Sequence, residues 1–166
     1  MGNAYQEYKD ARQAEFDALP IFWAFGDWQF NEQCEKLGIE PEKAGDYLYR
    51  FGGNGFYLKS DAEKIHAFIN KEDPLDELMK NPDFAYDAFY YEMGNHEYHI
   101  NYQADWDVCN CFCSKGELPY YGNTYDLEKS EMQKYFEYLG WGTEIQQAYR
   151  KARRDFYKKA EENDWF

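Results

Sequence analysis

Five side chains close together in the chain could bind a soft metal ion: His96, His99, Cys109, Cys111 and Cys113. Zinc would need four such donors converging tetrahedrally. Their spacing matches no Cys-x-x-Cys or His–Cys framework. On a helix Cys109 and Cys113 share a face while Cys111 points elsewhere. On a strand His99 shares the side of Glu97 and Asn101, the expected solvent side. No metal or cofactor is therefore expected, and the cysteines read as small buried apolar groups. His96, His99, Cys109 and Cys113 are the residues a metal would use. A Cys–His nucleophilic pair would meet in space and not in sequence, and no local signature marks one. Glu92 and Glu97 flank Gly94-Asn95-His96 and could pair for acid–base work, which needs environments that split their pKa values. Nothing in so acidic a chain singles them out. Gly52-Gly53-Asn54-Gly55 is not a phosphate loop, because Leu58, not glycine, precedes Lys59-Ser60.

The chain has 166 residues, 32 acidic and 18 basic, for a net charge of −14, and 21% of it is aromatic. Acidic chains poor in aromatics stay disordered because they cannot offset chain entropy by burial. This one has ample core material, enough for one domain burying about two-thirds of its unfolded surface. Its sign disfavours direct nucleic-acid binding through phosphates. Residues 1–107 hold 22 acids and 9 bases, whereas residues 108–166 hold 10 acids and 9 bases. Glu72 to Asp105 is densest, with nine acids and only Lys80 in opposition. Such a density should steer cationic partners. Arg150 to Lys159 reverses the sign, with six bases and Asp155. That basic face is expected to be compensated by the acidic middle or by a second subunit. The surplus of aromatic rings should lie at the surface beside carboxylates, as in protein-binding hot spots.

Asn3 to Leu19 reads as a helix stopped by Pro20. Ile21 to Phe25 is a short apolar segment, and Asp27 can cap a helix from Trp28 to Leu37 with Phe30, Cys34 and Leu37 on one stripe. Asp46 to Lys59 reads as a β-hairpin turning at Gly52 to Gly55. Ser60 and Glu63 have capping-box spacing, ahead of a helix carrying Ala62, Ile65 and Ile69. Pro74 to Lys80 suits a short helix. Phe84 to Met93 alternates with period two, Gly94-Asn95 suits a turn, and Glu97 to Tyr102 returns, which predicts a second hairpin. Asp105 to Lys115 suits a short helix and Leu118 to Tyr125 a loop. Leu127 to Leu139 is helical, with Met132, Tyr135, Phe136 and Leu139 on one side. Thr143 caps a last helix with Ile145, Ala148, Tyr149, Ala152, Phe156 and Ala160 as its stripe. The expected architecture is α+β, a small antiparallel sheet of two hairpins packed by helices, with a helical C-terminal third. Residues 1–125 form the core domain and 126–166 a helical extension packed on it.

No apolar run approaches the ~20 residues of a spanning helix. The polar N-terminus lacks a signal-peptide layout. A cytoplasmic setting with free thiols and no membrane contact is expected.

Two stretches carry a family likeness. One is Leu19-Pro20-Ile21-Phe22-Trp23-Ala24-Phe25, followed by Asp27, Gln29-Phe30 and Lys36-Leu37-Gly38. The other is Tyr91-Glu92-Met93-Gly94-Asn95-His96-Glu97-Tyr98. With the Gly52-Gly53-x-Gly55 hairpin, the chain resembles small, acidic, uncharacterised proteins carried by phages and mobile elements of Firmicutes and related gut bacteria. The likeness covers roughly residues 15–115 and leaves the last fifty as an extension. Where such proteins tend to carry a Leu-Gly-ended helix, this chain has the Cys-rich Val108 to Ser114, so the resemblance supplies no metal ligands there. It implies no enzyme activity. It implies action inside a bacterial host cell, where small acidic proteins of this kind resemble inhibitors of host defence, including anti-CRISPR proteins that occupy basic nucleic-acid channels.

The leading expectation is a non-enzymatic interaction protein. Its partner would be a host protein with a basic surface, such as a CRISPR effector nuclease, bound by nucleic-acid mimicry. The expected contact residues are Asp73, Asp76, Glu77, Asp83, Asp87, Glu92 and Glu97, with Trp23 or Trp106 as aromatic anchors. One alternative is a metal- or thiol-dependent enzyme using His96, His99, Cys109, Cys111 and Cys113. Another is a structural homo-oligomer of the element.

Overall fold

Pro20, Gly38 and the Gly52–Gly55 run break the N-terminal part of the chain into short elements, while the C-terminal part has room for long helices. The computed structural model describes residues 2–122 and 130–166. They form two compact units, Met1–Asp10 with Asp73–Phe166, and Ala11–Glu72. The expected boundary at 125–126 lies outside the described residues. Helix α1 (Ala4–Asp17) starts in the larger unit and ends in the smaller.

The smaller unit continues with β1 (Phe22–Trp23), α2 (Asp27–Lys36), α3 (Ala44–Tyr47), β2 (Leu48–Phe51), β3 (Gly55–Leu58) and α4 (Ala62–Ile69). Its sheet is antiparallel in the order β1-β3-β2. The hairpin turn needs Gly52, whose φ of +60° is a left-handed conformation that side chains resist. Gly55 is needed for space, since a Cβ there would lie 2.6 Å from the Phe51 carbonyl oxygen and 3.1 Å from the Trp23 ring. Cys34, Ile39, Ala44 and Leu48 form a small core, packed by Phe22, Phe30 and Leu58. The first hairpin is thus present, and the Ile21–Phe25 segment supplies its third strand. The Ser60–Glu63 capping box is not formed. Ser60 falls inside a 3-10 turn, Lys59–Asp61, which leaves Asp61 at the N-cap with no side-chain cap. Of the α4 stripe, Ile65 is buried and Ile69 exposed.

The larger unit adds α5 (Leu75–Leu78), α6 (Pro82–Asn95), α7 (Ala104–Asn110), α8 (Ser130–Leu139) and α9 (Thr143–Glu162). The second hairpin does not exist: Phe84 to Met93 lies within α6, and no strand spans 97–102. Asn81 accepts hydrogen bonds from the Asp83 and Phe84 amides, and Pro82 sits at the first position, a strong helix start. The buried residues Phe84, Ala85, Ala88, Phe89, Glu92 and Met93 follow the helical repeat. Gly94-Asn95 completes the last turn instead of reversing a hairpin. Tyr98 is buried, while Ile100 and Tyr102 are exposed.

The long stripe of α9 behaves as expected, with Ile145, Ala148, Tyr149, Ala152, Phe156 and Ala160 all buried. Met132, Tyr135 and Phe136 of α8 are fully buried too. Helices α6 and α9 share the most extensive helix contact described. Arg150 lies over Phe136, Lys151 over Tyr86, and Lys159 over Tyr90 and Trp165. The basic face is therefore engaged within its own unit. Among the described residues no helix is long and apolar enough to cross a membrane.

A polar knot sits inside this apolar packing. Asp105 of α7 is buried and accepts hydrogen bonds from the hydroxyls of Tyr98 and Tyr149, the latter at 2.5 Å. Arg153 of α9 feels the same carboxylate. A buried carboxylate needs such partners, and each hydrogen bond to a charged group contributes about 1.5–3 kcal/mol. Tyr149→Phe should lower unfolding free energy by about that amount with little change of volume. Urea unfolding of the two proteins checks this, and equal midpoints would contradict it.

Candidate functional site

Helical spacing puts residues four apart on one face. Near the end of α6 this pairs Glu92 with His96. Glu92 is 2% exposed, the other buried acid beside Asp105 among the described residues. Its Oε1 accepts from the Tyr5 hydroxyl at 2.7 Å and from Lys9 Nζ at 3.0 Å. Its Oε2 accepts from Asn95 Nδ2 at 3.0 Å and lies 3.6 Å from His96 Nε2. Cys111, immediately after α7, completes the group: its Sγ is 3.3 Å from His96 Nε2 and 3.3 Å from the Asp107 carbonyl oxygen. One oxygen of Glu92, one ring nitrogen of His96 and the Cys111 sulfur all lie within 4.8 Å of one another.

Burial pushes the Glu92 carboxyl up, but the hydrogen bonds from Tyr5, Asn95 and Lys9 outweigh it and leave the pKa lowered. Burial and then Glu92 raise the Tyr5 phenol. Burial, followed by the Glu92 charge, pushes the Cys111 thiol up to about 12. A nucleophilic cysteine needs the opposite, a thiolate favoured by cationic surroundings. The His96–Cys111 contact thus has the geometry of a thiol–imidazole pair but lacks its electrostatics.

The other expected metal residues lie elsewhere. Cys109 is fully buried, with a thiol raised first by burial and then by Asp105. Cys113 joins the wall of a groove with Phe112 and Trp141. His99, expected on a solvent face, is half-buried against Phe156 and Trp165. The expected contact residues also divide. Glu92 points inward. Asp87 accepts the Ala4 amide at 2.8 Å and so caps α1. Asp73 accepts from the Tyr8 hydroxyl at 2.6 Å and the Leu75 amide at 3.0 Å while remaining exposed. Asp76, Glu77, Asp83 and Glu97 are exposed, with Glu77 paired to Lys80 at 2.6 Å. Trp23 is 43% exposed in the smaller unit, whereas Trp106 is half-buried and donates to the Leu118 carbonyl.

The model of a family of unknown function, DUF7659, matches residues 4–155. The chain belongs to that family. No curated protein and no solved structure matches it. The DUF7659 match extends past the 15–115 stretch in both directions. It takes in α8 and most of α9. It also includes Glu92, His96 and Cys111.

Sequence reading missed Tyr5, Lys9 and Asn95, because nothing local marks a tyrosine or lysine of one helix as the partner of a carboxylate on another. Glu92-x-x-x-His96 was visible, and would have stood out on a helix. In this member of DUF7659 the Glu92 contribution to stability is present above the ordinary glutamate value of 4.5 and is lost as pH falls through the lower folded value. Tyr5→Phe removes one donor, brings the folded value nearer the unfolded one, and should make stability fall less steeply from about pH 5 to about pH 3. Denaturant midpoints across that range check this, and an unchanged slope would contradict it.

Proposed function

We propose that this protein acts by binding a partner with a basic surface, through the acidic start of its larger unit. The supporting observation is that Asp73, just before α5, Asp76 and Glu77 on α5, and Asp83 in the first turn of α6 are all exposed, with Lys80 as the single base among them. With Glu72 and Glu97, which are also exposed, these are what remains of the acidic middle once Glu92, Asp105 and Asp87 are turned to internal use. A groove of about 390 Å³ adjoins them, lined by Leu75, Met79, Phe112 and Trp141 with Asp76 and Lys115. Carboxylates beside an apolar groove combine long-range attraction with a surface that gains from losing water.

The partner class this favours is an enzyme of nucleic acids, whose lysine- and arginine-lined channel would accept carboxylates in place of phosphates. A defence nuclease of a bacterial host is the specific form of the proposal, with the protein as its inhibitor. The family contributes no activity of its own to this reading.

Exposed charges are screened over about 8–10 Å near physiological salt, so binding that depends on them weakens as salt rises. Partner capture from a bacterial lysate should fall between about 0.05 M and about 0.5 M salt. The double change Asp76→Lys and Asp83→Lys should abolish capture without altering thermal unfolding. Capture indifferent to both salt and charge reversal would overturn the proposal.

A further inference from the structure

We infer that Glu92, His96 and Cys111 form a binding site for one zinc-like divalent cation, with a fourth coordination position left open. The donor set is one carboxylate oxygen, one imidazole nitrogen and one sulfur. Thiolate and imidazole together select borderline and soft ions such as Zn²⁺ over Mg²⁺ or Ca²⁺, which take oxygen ligands.

The spacing suits the ion. Zinc bonds of about 2.0–2.3 Å at tetrahedral angles place neighbouring donors about 3.3–3.7 Å apart. The His96–Glu92 and Cys111–His96 separations are 3.6 and 3.3 Å, and all three donors fall within 4.8 Å. Little rearrangement is needed to reach coordination. Three protein ligands with an open position is the pattern of sites that hold a water or a substrate group, not of closed structural sites.

The surroundings also fit. Metal ligands are usually oriented by further hydrogen bonds. Tyr5 and Lys9 fix Oε1 of Glu92, and Asn95 bonds Oε2, the oxygen nearest His96. Glu92 is therefore set before any ion arrives. The ligands come from the ends of α6 and α7, with His96 half-buried and Cys111 at the surface, so an ion can reach them. Binding replaces the S–H bond of Cys111 with a sulfur–metal bond and releases the proton to solvent. The hydrogen bond to the Asp107 carbonyl oxygen is given up in the same step. The charge of Lys9 beside Glu92 limits affinity, and the proton that Cys111 must lose makes affinity rise with pH. The site does not depend on the acidic contact surface proposed above, which shares no ligand with it.

The test uses the full chain and metal alone. Cobalt(II) added to the reduced protein should give a sulfur-to-metal charge-transfer band that saturates at one ion per chain and disappears when Zn²⁺ is added. Cys111→Ser and His96→Gln should each weaken Zn²⁺ binding by more than about 100-fold, since even residues outside the coordination sphere cost about 10–100-fold. Cys113→Ser should leave it unchanged. In the unaltered protein, Zn²⁺ should slow alkylation of Cys111, located by peptide mapping, which keeps the test valid if a variant folds poorly. Absence of the cobalt band, alkylation of Cys111 at the same rate with Zn²⁺, or full affinity in Cys111→Ser would overturn the inference.

Discussion

Removing the Glu92 carboxylate from water is the constraint from which the arrangement of the larger unit follows. An isolated buried charge would cost many kcal/mol, so it must be matched by donors. Tyr5 and Lys9 provide two of them, which fixes where the first turns of α1 lie against α6. Asn95 provides the third from the last turn of α6 itself. Asp105 repeats the solution further along, drawing Tyr98 and Tyr149 onto a carboxylate of α7. Both knots are embedded in aromatic packing: Tyr5 lies against Phe84, Tyr91 and Phe112, and Tyr149 against Phe89 and Phe136. The tyrosines thus serve as core and as donors at once.

This changes the meaning of the −14 net charge. The count along the chain located the acidity correctly but carried no direction. Asp73, Asp76, Glu77, Asp83, Asp87, Glu97 and the buried Glu92 look alike in a list of residues. In the fold one holds a helix pair together, one caps a helix start, and others remain at the surface. Direction depends on which helix face a residue occupies and on what another helix brings to it, and neither is a local property.

Much of the fold was legible where a single period dominated. The α9 stripe, the α8 face and the β2–β3 hairpin followed directly from apolar spacing and from glycines at the turn. Helix α6 was not read correctly, because Tyr86, Phe89, Tyr90 and Tyr91 are strand-favouring residues and Gly94-Asn95 resembles a hairpin turn. The competing signals were present: Asn81-Pro82 is a helix start, and Phe84, Ala85, Ala88, Phe89 and Met93 recur at helical spacing. Tertiary burial decided in favour of that repeat. The error carried into the site. On a strand Glu92 and His96 lie about 13 Å apart, and on a helix they are neighbours across one turn. Cys111 could join them only once the separation of the α6 and α7 ends was known.

The most direct test of the account is the titration of the Glu92 carboxyl carbon followed by NMR in the folded protein. Held by Tyr5, Lys9 and Asn95, it should titrate below the ordinary glutamate value of 4.5. A midpoint at or above that value would mean that burial outweighs the three donors, and would contradict the account.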